Sequence, residues 1–412
     1  MPRVQARIRS VARALVQIEI WPVAALYLAG GFVQGLLPVT LAVAAFFWAL
    51  RLLAYGRLTV RTPADGPLAL MVLMAPVTLW ATAYPQETVP QVALLLANIA
   101  LYYALVNWAA DPRRLRLGVA ALAAVGLGLA LCAPVTVAWH ANKAFLVPSS
   151  LYSHLPLLLG DGIHPNDMAA ALALLFVALA GLLVFAWRQM RLLDRLAMNG
   201  VEMAMLVILL LTQSRGALFG VAAALALMVT LRWRRGWLVL LPVAIAGAFG
   251  LHTYSLRVLD VITASNILGS LEIRMGLWAE AIHAIQDFPL TGIGMGTFVQ
   301  VIPALYLFSP GGMRFGHAHN VFLQVAVDLG IPGLVAWLAI VALVVTTTWE
   351  LVRQGRLSGN RWTHALGVGL LCSQVALLVH GMVDVAAWRT PLGAMIWVLW
   401  GLAMAGRNAL GA

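Results

Sequence analysis

Long apolar runs recur along this chain, and their length restricts its fold more than any other feature of the sequence. A helix needs about 20 apolar residues to cross the ~30 Å hydrocarbon core of a bilayer. Backbone polar groups find no water there, so only helices and closed barrels span it. We therefore predict an all-α, polytopic membrane protein of about twelve transmembrane helices, with residues 1–412 forming a single integral membrane domain. The predicted spans lie near 18–35, 37–54, 67–84, 89–110, 115–137, 165–187, 197–213, 215–231, 236–251, 319–351, 361–383 and 389–406.

The composition excludes a water-soluble protein. Hydrophobic residues make up 62% of the 412 residues and charged residues only 10%, while the net charge is +11. In a soluble protein this charge would favour nucleic-acid binding. In a membrane protein it follows from topology, because basic loops are retained on the cytoplasmic side next to anionic lipid. We therefore expect contacts with membrane lipids and no nucleic-acid partner. The two cysteines, Cys132 and Cys372, lie in apolar runs, which excludes a disulfide framework.

The basic residues predict the orientation. With the N-terminus inside, 20 of the 26 Lys and Arg residues fall in predicted cytoplasmic segments. This asymmetry predicts a multi-pass protein of the bacterial inner membrane with both termini cytoplasmic and its chemistry facing the periplasm. No small-residue cleavage pattern follows the basic N-terminus, which we expect to be retained. The exceptions that topology does not explain are Lys143, Arg215, Arg257, Arg274, Arg314 and Arg389.

A large periplasmic loop is predicted at 252–318, inserted between transmembrane helices 9 and 10. A structureless loop of this length is uncommon unless it has a function. Within it, apolar residues recur at helical spacing, which predicts an amphipathic helix on the outer membrane face that carries Arg274. The apolar positions are Leu271, Met275, Leu277, Trp278, Ile282 and Ile285.

The run at 319–351 is too long for one straight span. Gly330, Pro332 and Gly333 interrupt it, and proline removes a helical hydrogen bond. We therefore predict a short helix over 319–329 followed by the span proper.

Three polar residues stand at the outer mouth of this run: His317, His319 and Asn320, with Arg314 close by. An imidazole with a pKa near 6.5 is available there in its neutral, proton-accepting form and could activate a hydroxyl. The alternative is that a histidine at this position simply caps a helix or reaches the membrane interface.

Two arginines, Arg215 and Arg274, could hold a diphosphate. A short outer hairpin such as TQSRGALFG has no topological need for Arg215, and a guanidinium donates paired hydrogen bonds to phosphate oxygens at any physiological pH. For Arg274 the alternative is an exposed position or a contact with lipid phosphate. Near the C-terminus, His380, Asp384 and Arg389 either orient the site or cap a helix, and the sequence leaves both possibilities open.

Two weaker signals have simpler explanations. TGIGMGTF, at 291–298, is glycine-rich but lacks the βαβ context of a phosphate loop, so we interpret it as a tight turn that closes the outer loop. GDGIHPND contains the possible metal ligands Asp161, His164 and Asp167. A polar cap on the span that begins near Pro165 explains Asn166 and Asp167 more simply, and we predict no metal.

The motifs, taken in order, resemble one known superfamily. His319-Asn320, nine residues, Gly330, two residues and Gly333 resemble the H-N-x9-G-x-x-G signature of the O-antigen ligases and polymerases, although Leu334 replaces the Ser or Thr that often follows in the ligases. Further similarities are the SRG around Arg215, the R-x-x-x-W from Arg274 to Trp278, the P-L-x-G-x-G-x-G from Pro289 to Gly296, and the HGMVD from His380 to Asp384.

The resemblance implies a C-type glycosyltransferase that takes a glycan from undecaprenyl diphosphate at the periplasmic face. In the ligases the acceptor is a sugar of the lipid A-core, which yields lipopolysaccharide. The polymerases extend a second lipid-linked glycan instead, and the protein O-oligosaccharyltransferases modify Ser or Thr. The last group usually carries an added soluble C-terminal domain, whereas this chain ends at Ala412 just after its last predicted span. We therefore expect a ligase.

The expected mechanism is an inverting transfer without metal or cofactor. His319 takes the proton from the acceptor hydroxyl, and Arg215 and Arg274 stabilise the departing diphosphate. A secondary transporter is the rival from another class. Transporters usually place their charged residues near the midplane of the bilayer, whereas here the unexplained charges lie at one face.

Overall fold

The computed structural model describes residues 2–30, 33, 35–139, 147–152, 154–155, 162–233, 235–238, 267–306 and 313–411. These residues are mainly helical, and the β contact among them is an isolated parallel bridge between Val137 and Ile163. The predicted all-α class is therefore confirmed. The helices are α1 (Pro2–Leu15), α2 (Ile20–Gly30), α3 (Leu36–Tyr55), α4 (Asp65–Ala81), α5 (Pro85–Trp108), α6 (Pro112–Thr136), α7 (Ser149–Tyr152), α8 (Pro165–Ala186), α9 (Leu192–Thr212), α10 (Arg215–Arg232), α11 (Ile267–Asp287), α12 (Phe298–Leu305), α13 (Val321–Leu357), α14 (Arg361–Gly381), α15 (Ala386–Arg389) and α16 (Ala394–Gly411).

Within the described residues, eight helices are long and apolar enough to cross a membrane. They are α3, α5, α6, α8 with its 3-10 extension to Gln189, α9, α10, α13 and α14. A bent pair over Val4–Ile18 and Ile20–Gly30 would make a ninth. The shorter α4 and the last helix, α16, coincide with two more of the predicted spans. The prediction near 236–251 lies almost entirely outside the described residues. The protein is thus a polytopic, all-α membrane protein.

The predicted interruption near residue 330 is confirmed. Gly330 has φ 69° and ψ −180° within α13, so a short helix meets a longer one at this residue. The Ile331 N–H donates to the carbonyl of Pro289 at 2.7 Å instead of continuing the helix. A Cβ added at Gly330 would lie 2.6 Å from the carbonyl carbon of Leu290, so both the backbone conformation and the close packing require glycine here.

Four helices, α8, α10, α13 and α14, pack together, and we call them the four-helix core. Helix α14 packs against the other three. Glycines allow the closest approach: a Cβ at Gly369 of α14 would lie 2.1 Å from the carbonyl oxygen of Ala178 in α8, and a Cβ at Gly181 would lie 2.4 Å from the Gly369 Cα. Close contact through small residues is typical of helix packing in membranes.

Helix α11 corresponds to the predicted amphipathic helix. Leu277, Ala281 and Ala284 are buried in a cluster with residues of α12 and α13. The apolar residues Met275 and Ile282 are 55% and 45% exposed. Leu277 of the predicted apolar stripe therefore packs against protein, whereas Met275 and Ile282 lie on the exposed side of the helix. Its position on the outer membrane face stays a prediction.

Candidate active site

The polar ends of the four-helix core meet around the segment His380–Asp384. Helix α10 begins beside it, since a Cβ added at Gly216 would lie 2.9 Å from the His380 Cδ2. Helix α13 begins beside it as well, because the Asn320 Nδ2 donates to the carbonyl of Met382 at 3.2 Å. At the start of α8, the Asn166 Nδ2 donates to the Asp384 Oδ2 at 2.7 Å. Residues far apart in the sequence therefore share one site.

Asp384 is the buried carboxylate of this site, with 5% of its surface exposed. Its Oδ1 accepts from the Val385 N–H at 2.7 Å, and its Oδ2 lies 4.0 Å from the His380 Nε2. Burial alone would raise the pKa of Asp384. The neighbouring histidines and the Val385 N–H outweigh burial and hold this pKa at about 2, so Asp384 is ionised at neutral pH.

His317 and His319 form a pair beside this carboxylate. Their ring centroids are 4.1 Å apart, and the ligand atoms of His317, His319 and Asp384 all lie within 4.8 Å of one another. The His319 N–H donates to the His317 Nδ1 at 3.3 Å, which puts the proton of the neutral His317 ring on Nε2. Burial, and next the proximity of His319, lower the pKa of His317 to about 3, so this ring is neutral at neutral pH.

The backbone around His319 is fixed on both sides. His319 has φ 51°, a left-handed conformation that is uncommon for residues other than glycine. The preceding Ala318 N–H donates to the Gln324 Oε1 at 2.8 Å. The following Asn320 caps α13, because its Oδ1 accepts from the N–H groups of Phe322 and Leu323. Asn320, and not a histidine, is therefore the cap of α13, and this cap holds His319 in place.

Arg215 and Arg274 lie close enough to this site to interact electrostatically. Arg215 is exposed at the start of α10, and Arg274 is half-buried on α11. Burial lowers the pKa of Arg274; Asp384 raises it and Arg215 lowers it further. Neither arginine forms an ion pair with a carboxylate among the described residues. The structure therefore brings together the two arginines that the sequence could only pair by hypothesis.

The remaining basic residues that the predicted topology leaves unexplained differ in their roles. Arg389 donates from Nη1 to the carbonyl of Gly316 and from Nη2 to that of Gly296, at 3.3 Å for the second bond. It therefore connects the histidine segment to the glycine-rich turn. Arg314 is exposed. Lys143 and Arg257 lie outside the described residues.

The glycine-rich segment is a packed turn, as predicted. Gly292, Gly294 and Gly296 all have positive φ, and the Ile293 N–H donates to the carbonyl of Val327 at 2.8 Å. A Cβ at Gly292 would lie 2.4 Å from that same carbonyl oxygen. The turn thus closes against α13 immediately before the break at Gly330.

Sequence reasoning missed Asp328, a fully buried carboxylate in α13. It accepts from the Trp388 Nε1 at 2.8 Å, the Gln324 Nε2 at 2.9 Å and the Gly296 N–H at 3.4 Å. These bonds join α13 to α15 and to the glycine-rich turn. A carboxylate within an apolar membrane helix is itself a signal for a functional or structural role, and VAVDLG contained that signal.

The proposed cap of α8 needs a correction. His164 is the capping residue, since its Nδ1 accepts from the Asn166 N–H at 3.1 Å. The Asn166 side chain instead belongs to the site through its bond to Asp384. The prediction was wrong here because an amide side chain can either cap its own helix or bond to a different helix. Only the packing of α8 against the His380–Asp384 segment favours the bond to Asp384. Asp161 lies outside the described residues.

His317, His319 and Asp384 are also suited by type and spacing to hold a metal ion. Several of their atoms are already hydrogen-bonded within the protein: both Asp384 oxygens accept, and so does the His317 Nδ1. Activity without metal stays a prediction.

Comparison with known proteins agrees with the motifs. Residues 200–338 match the family model described as O-antigen ligase. An O-antigen ligase of Pseudomonas aeruginosa is 32% identical over 144 residues, which are 35% of this chain and 32% of that protein. The chain thus aligns with about a third of the length of this curated relative. The superfamily assignment made from the motifs is confirmed.

The segment that matches this family model contains only part of the site. Arg215, Arg274, His317 and His319 lie within the matched residues 200–338. Asn166, His380 and Asp384 lie outside that match, and the fold supplies them.

Proposed function

We propose that this protein is an O-antigen ligase of the bacterial inner membrane. It would transfer the O-antigen glycan from undecaprenyl diphosphate to a sugar of the lipid A-core at the periplasmic face, in lipopolysaccharide biosynthesis. One observation carries the proposal: two imidazoles, an ionised carboxylate and two arginines without carboxylate partners among the described residues meet at one end of the four-helix core.

Arg215 and Arg274 would hold the donor diphosphate. A half-buried guanidinium without a carboxylate partner is costly in a membrane protein unless an anion meets it. The two arginines lie close enough for the charge of one to lower the pKa of the other, which favours a ligand with at least two negative charges. Paired hydrogen bonds from each guanidinium to phosphate oxygens suit a diphosphate.

His319 would act as the general base. The acceptor hydroxyl oxygen attacks the anomeric carbon while its proton passes to His319. The bond from that carbon to the diphosphate oxygen breaks, and the diphosphate leaves with the electron pair. Asp384, beside the ring, stabilises the imidazolium that forms. A single displacement inverts the anomeric configuration.

The arginines also account for the absence of a glycosidase-like acid in this scheme. A diphosphate needs charge stabilisation more than protonation when it leaves, and two guanidinium groups supply positive charge at the place where negative charge develops. We therefore propose that transfer needs no metal.

The test is transfer in vitro from glycan-charged undecaprenyl diphosphate to purified rough lipopolysaccharide, with wild type and His319→Ala. Glycosylated lipopolysaccharide with wild type alone supports the ligase. Glycan chains that lengthen on the lipid carrier would identify a polymerase instead. No turnover of either acceptor by folded wild type would contradict the proposal and favour the transporter.

A further inference from the structure

A cavity of about 680 Å³ lies at the other end of the four-helix core from the candidate active site. Each of the four helices contributes an arginine to its lining, from a terminal turn or from the 3-10 turn that follows α8. These arginines are Arg188, Arg232, Arg356 and Arg361. The cavity is thus a feature of the same helices that build the active site.

The distance between the two sites matches the thickness of a membrane. Helix α10 has 18 residues and runs from Arg215 in the active site to Arg232 in the cavity lining. At 1.5 Å per residue this corresponds to about 27 Å. Helix α14 runs the opposite way, from Arg361 at the cavity to His380 at the active site. A hydrocarbon core of ~30 Å therefore separates the two sites, and the cavity lies in the other leaflet.

The lining combines positive charge with apolar surface. Its described residues include four arginines and no carboxylate, together with Leu183, Val184 and Leu231. Aromatic rings hold one of the charges in position: the Arg232 guanidinium lies 5.9 Å from the centroid of Phe185 and 5.7 Å from that of Trp233. Such a lining fits a molecule that has an anionic head and an acyl tail.

Topology alone does not explain this arrangement. Basic residues collect in cytoplasmic loops of any membrane protein, and Arg57 and Arg61 between α3 and α4 are examples of such exposed arginines. The four cavity arginines instead come from four separate helices and surround one space. Trp187 and Trp233, which are 42% and 54% exposed, line the same space at the depth where tryptophan is enriched in membranes.

We propose that this cavity binds the head group of an anionic phospholipid of the cytoplasmic leaflet, with an acyl chain against Leu183, Val184 and Leu231. Basic pockets between helices on the cytoplasmic side are suited to such head groups. A lipid bound there would hold together the four helices whose other ends form the active site. The inference does not depend on the reaction proposed above.

The test measures lipid binding to the purified full chain by native mass spectrometry, with phosphatidylglycerol as the probe and phosphatidylcholine as the zwitterionic comparison. The cavity variant combines Arg232→Gln with Arg361→Gln. The matched control combines Arg57→Gln with Arg61→Gln, which removes the same charge at the same end outside the cavity. An arginine near anionic lipid contributes about 1 kcal/mol, so we expect roughly 30-fold weaker phosphatidylglycerol binding in the cavity variant and no change in the control.

Three results would overturn the proposal. Equal affinity of the two double variants for phosphatidylglycerol would place the lipid elsewhere. Equal affinity of wild type for phosphatidylcholine would remove the role of charge. Inorganic phosphate that competes as well as the lipid would indicate a site for free anions. If the cavity variant does not remain monodisperse, the single variant Arg188→Gln gives the same comparison, with an expected loss of about fivefold.

Discussion

The two ends of the four-helix core carry arginines in different settings. At the active-site end, Arg274 is half-buried and Arg215 is exposed, beside polar groups that bond across helices, as in the contact of Asn166 with Asp384. At the other end, the arginines that line the cavity are exposed. The arginines of the active-site end therefore share their surroundings with histidines and a buried carboxylate. Those of the other end surround a space whose described lining contains no carboxylate.

The active-site end also separates residues of the motifs into two groups. Asn320, Gly330 and Arg389 hold backbone segments in place through caps, close packing and hydrogen bonds to carbonyls. Arg215 and Arg274 form no ion pair with a carboxylate among the described residues, so no structural role of this kind accounts for them there. A motif therefore records both the chemistry and the scaffold that positions it.

The largest effect is expected at His319. We predict that His319→Ala lowers the rate of glycan transfer by about 10² to 10⁴-fold, because removal of a general base costs that much. The measurement is the initial rate of transfer to rough lipopolysaccharide. His283→Ala is the matched control, since His283 is an exposed histidine on α11 that pairs with Glu280 outside the site. Comparable losses in both variants would show that the histidine cluster has no special role.

The next largest effect on activity is expected at Arg215 and Arg274. We predict that Arg215→Gln or Arg274→Gln lowers the turnover number by about 10² to 10³-fold, because each removes a cation from the developing charge on the diphosphate. Arg353→Gln, at the exposed end of α13 outside the cavity lining, serves as the control. An equal loss of activity in Arg353→Gln would show that arginines at the two ends of the four-helix core do not differ in their effect on transfer.

A smaller loss is expected at Asp384. The substitution Asp384→Asn keeps an oxygen that can accept from the Val385 N–H but removes the negative charge beside the histidines. We predict a rate about ten- to a hundredfold lower, since the imidazolium loses its counter-charge. The exposed Asp287, which accepts from the Tyr306 hydroxyl, provides the control Asp287→Asn. Full activity of Asp384→Asn would mean that Asp384 only fixes the backbone.

Stability should also differ between a buried and an exposed acid. We predict that Asp328→Asn lowers the free energy of unfolding by about 1–3 kcal/mol. Both oxygens of Asp328 accept hydrogen bonds, and in the variant the N–H₂ group replaces one of them and faces a donor that it cannot accept from. Glu350→Gln disrupts the exposed pair with Arg407 and should cost less than about 1 kcal/mol. Thermal unfolding in detergent measures both. Equal midpoints for the two variants would refute the structural role of Asp328.

The smallest effect is expected from chelation. If the arginines supply the positive charge of the site, transfer by wild type should be unchanged after treatment with a metal chelator. Loss of activity that returns with added divalent metal would show instead that His317, His319 and Asp384 bind an ion that the reaction requires.

The sequence by itself determined the membrane class, most of the spans, the break at Gly330 and the residues of the motifs. These features follow from local patterns, because apolar length, helical spacing and proline or glycine act on the chain where they occur. The amphipathic helix α11 was predicted for the same reason. Which of its apolar side chains contact protein could not be predicted, because that depends on the neighbouring helices.

Only the tertiary structure decided how the site is completed. Asn166 and Asp384 are 218 residues apart in the sequence, and their contact depends on the packing of α8 against the end of α14. The bonds that Asp328 accepts from Trp388 and Gly296 arise in the same way. A local pattern shows that a residue is polar and where it lies on its helix. Which polar groups meet is decided by the close packing of whole helices, which no single segment of the sequence contains.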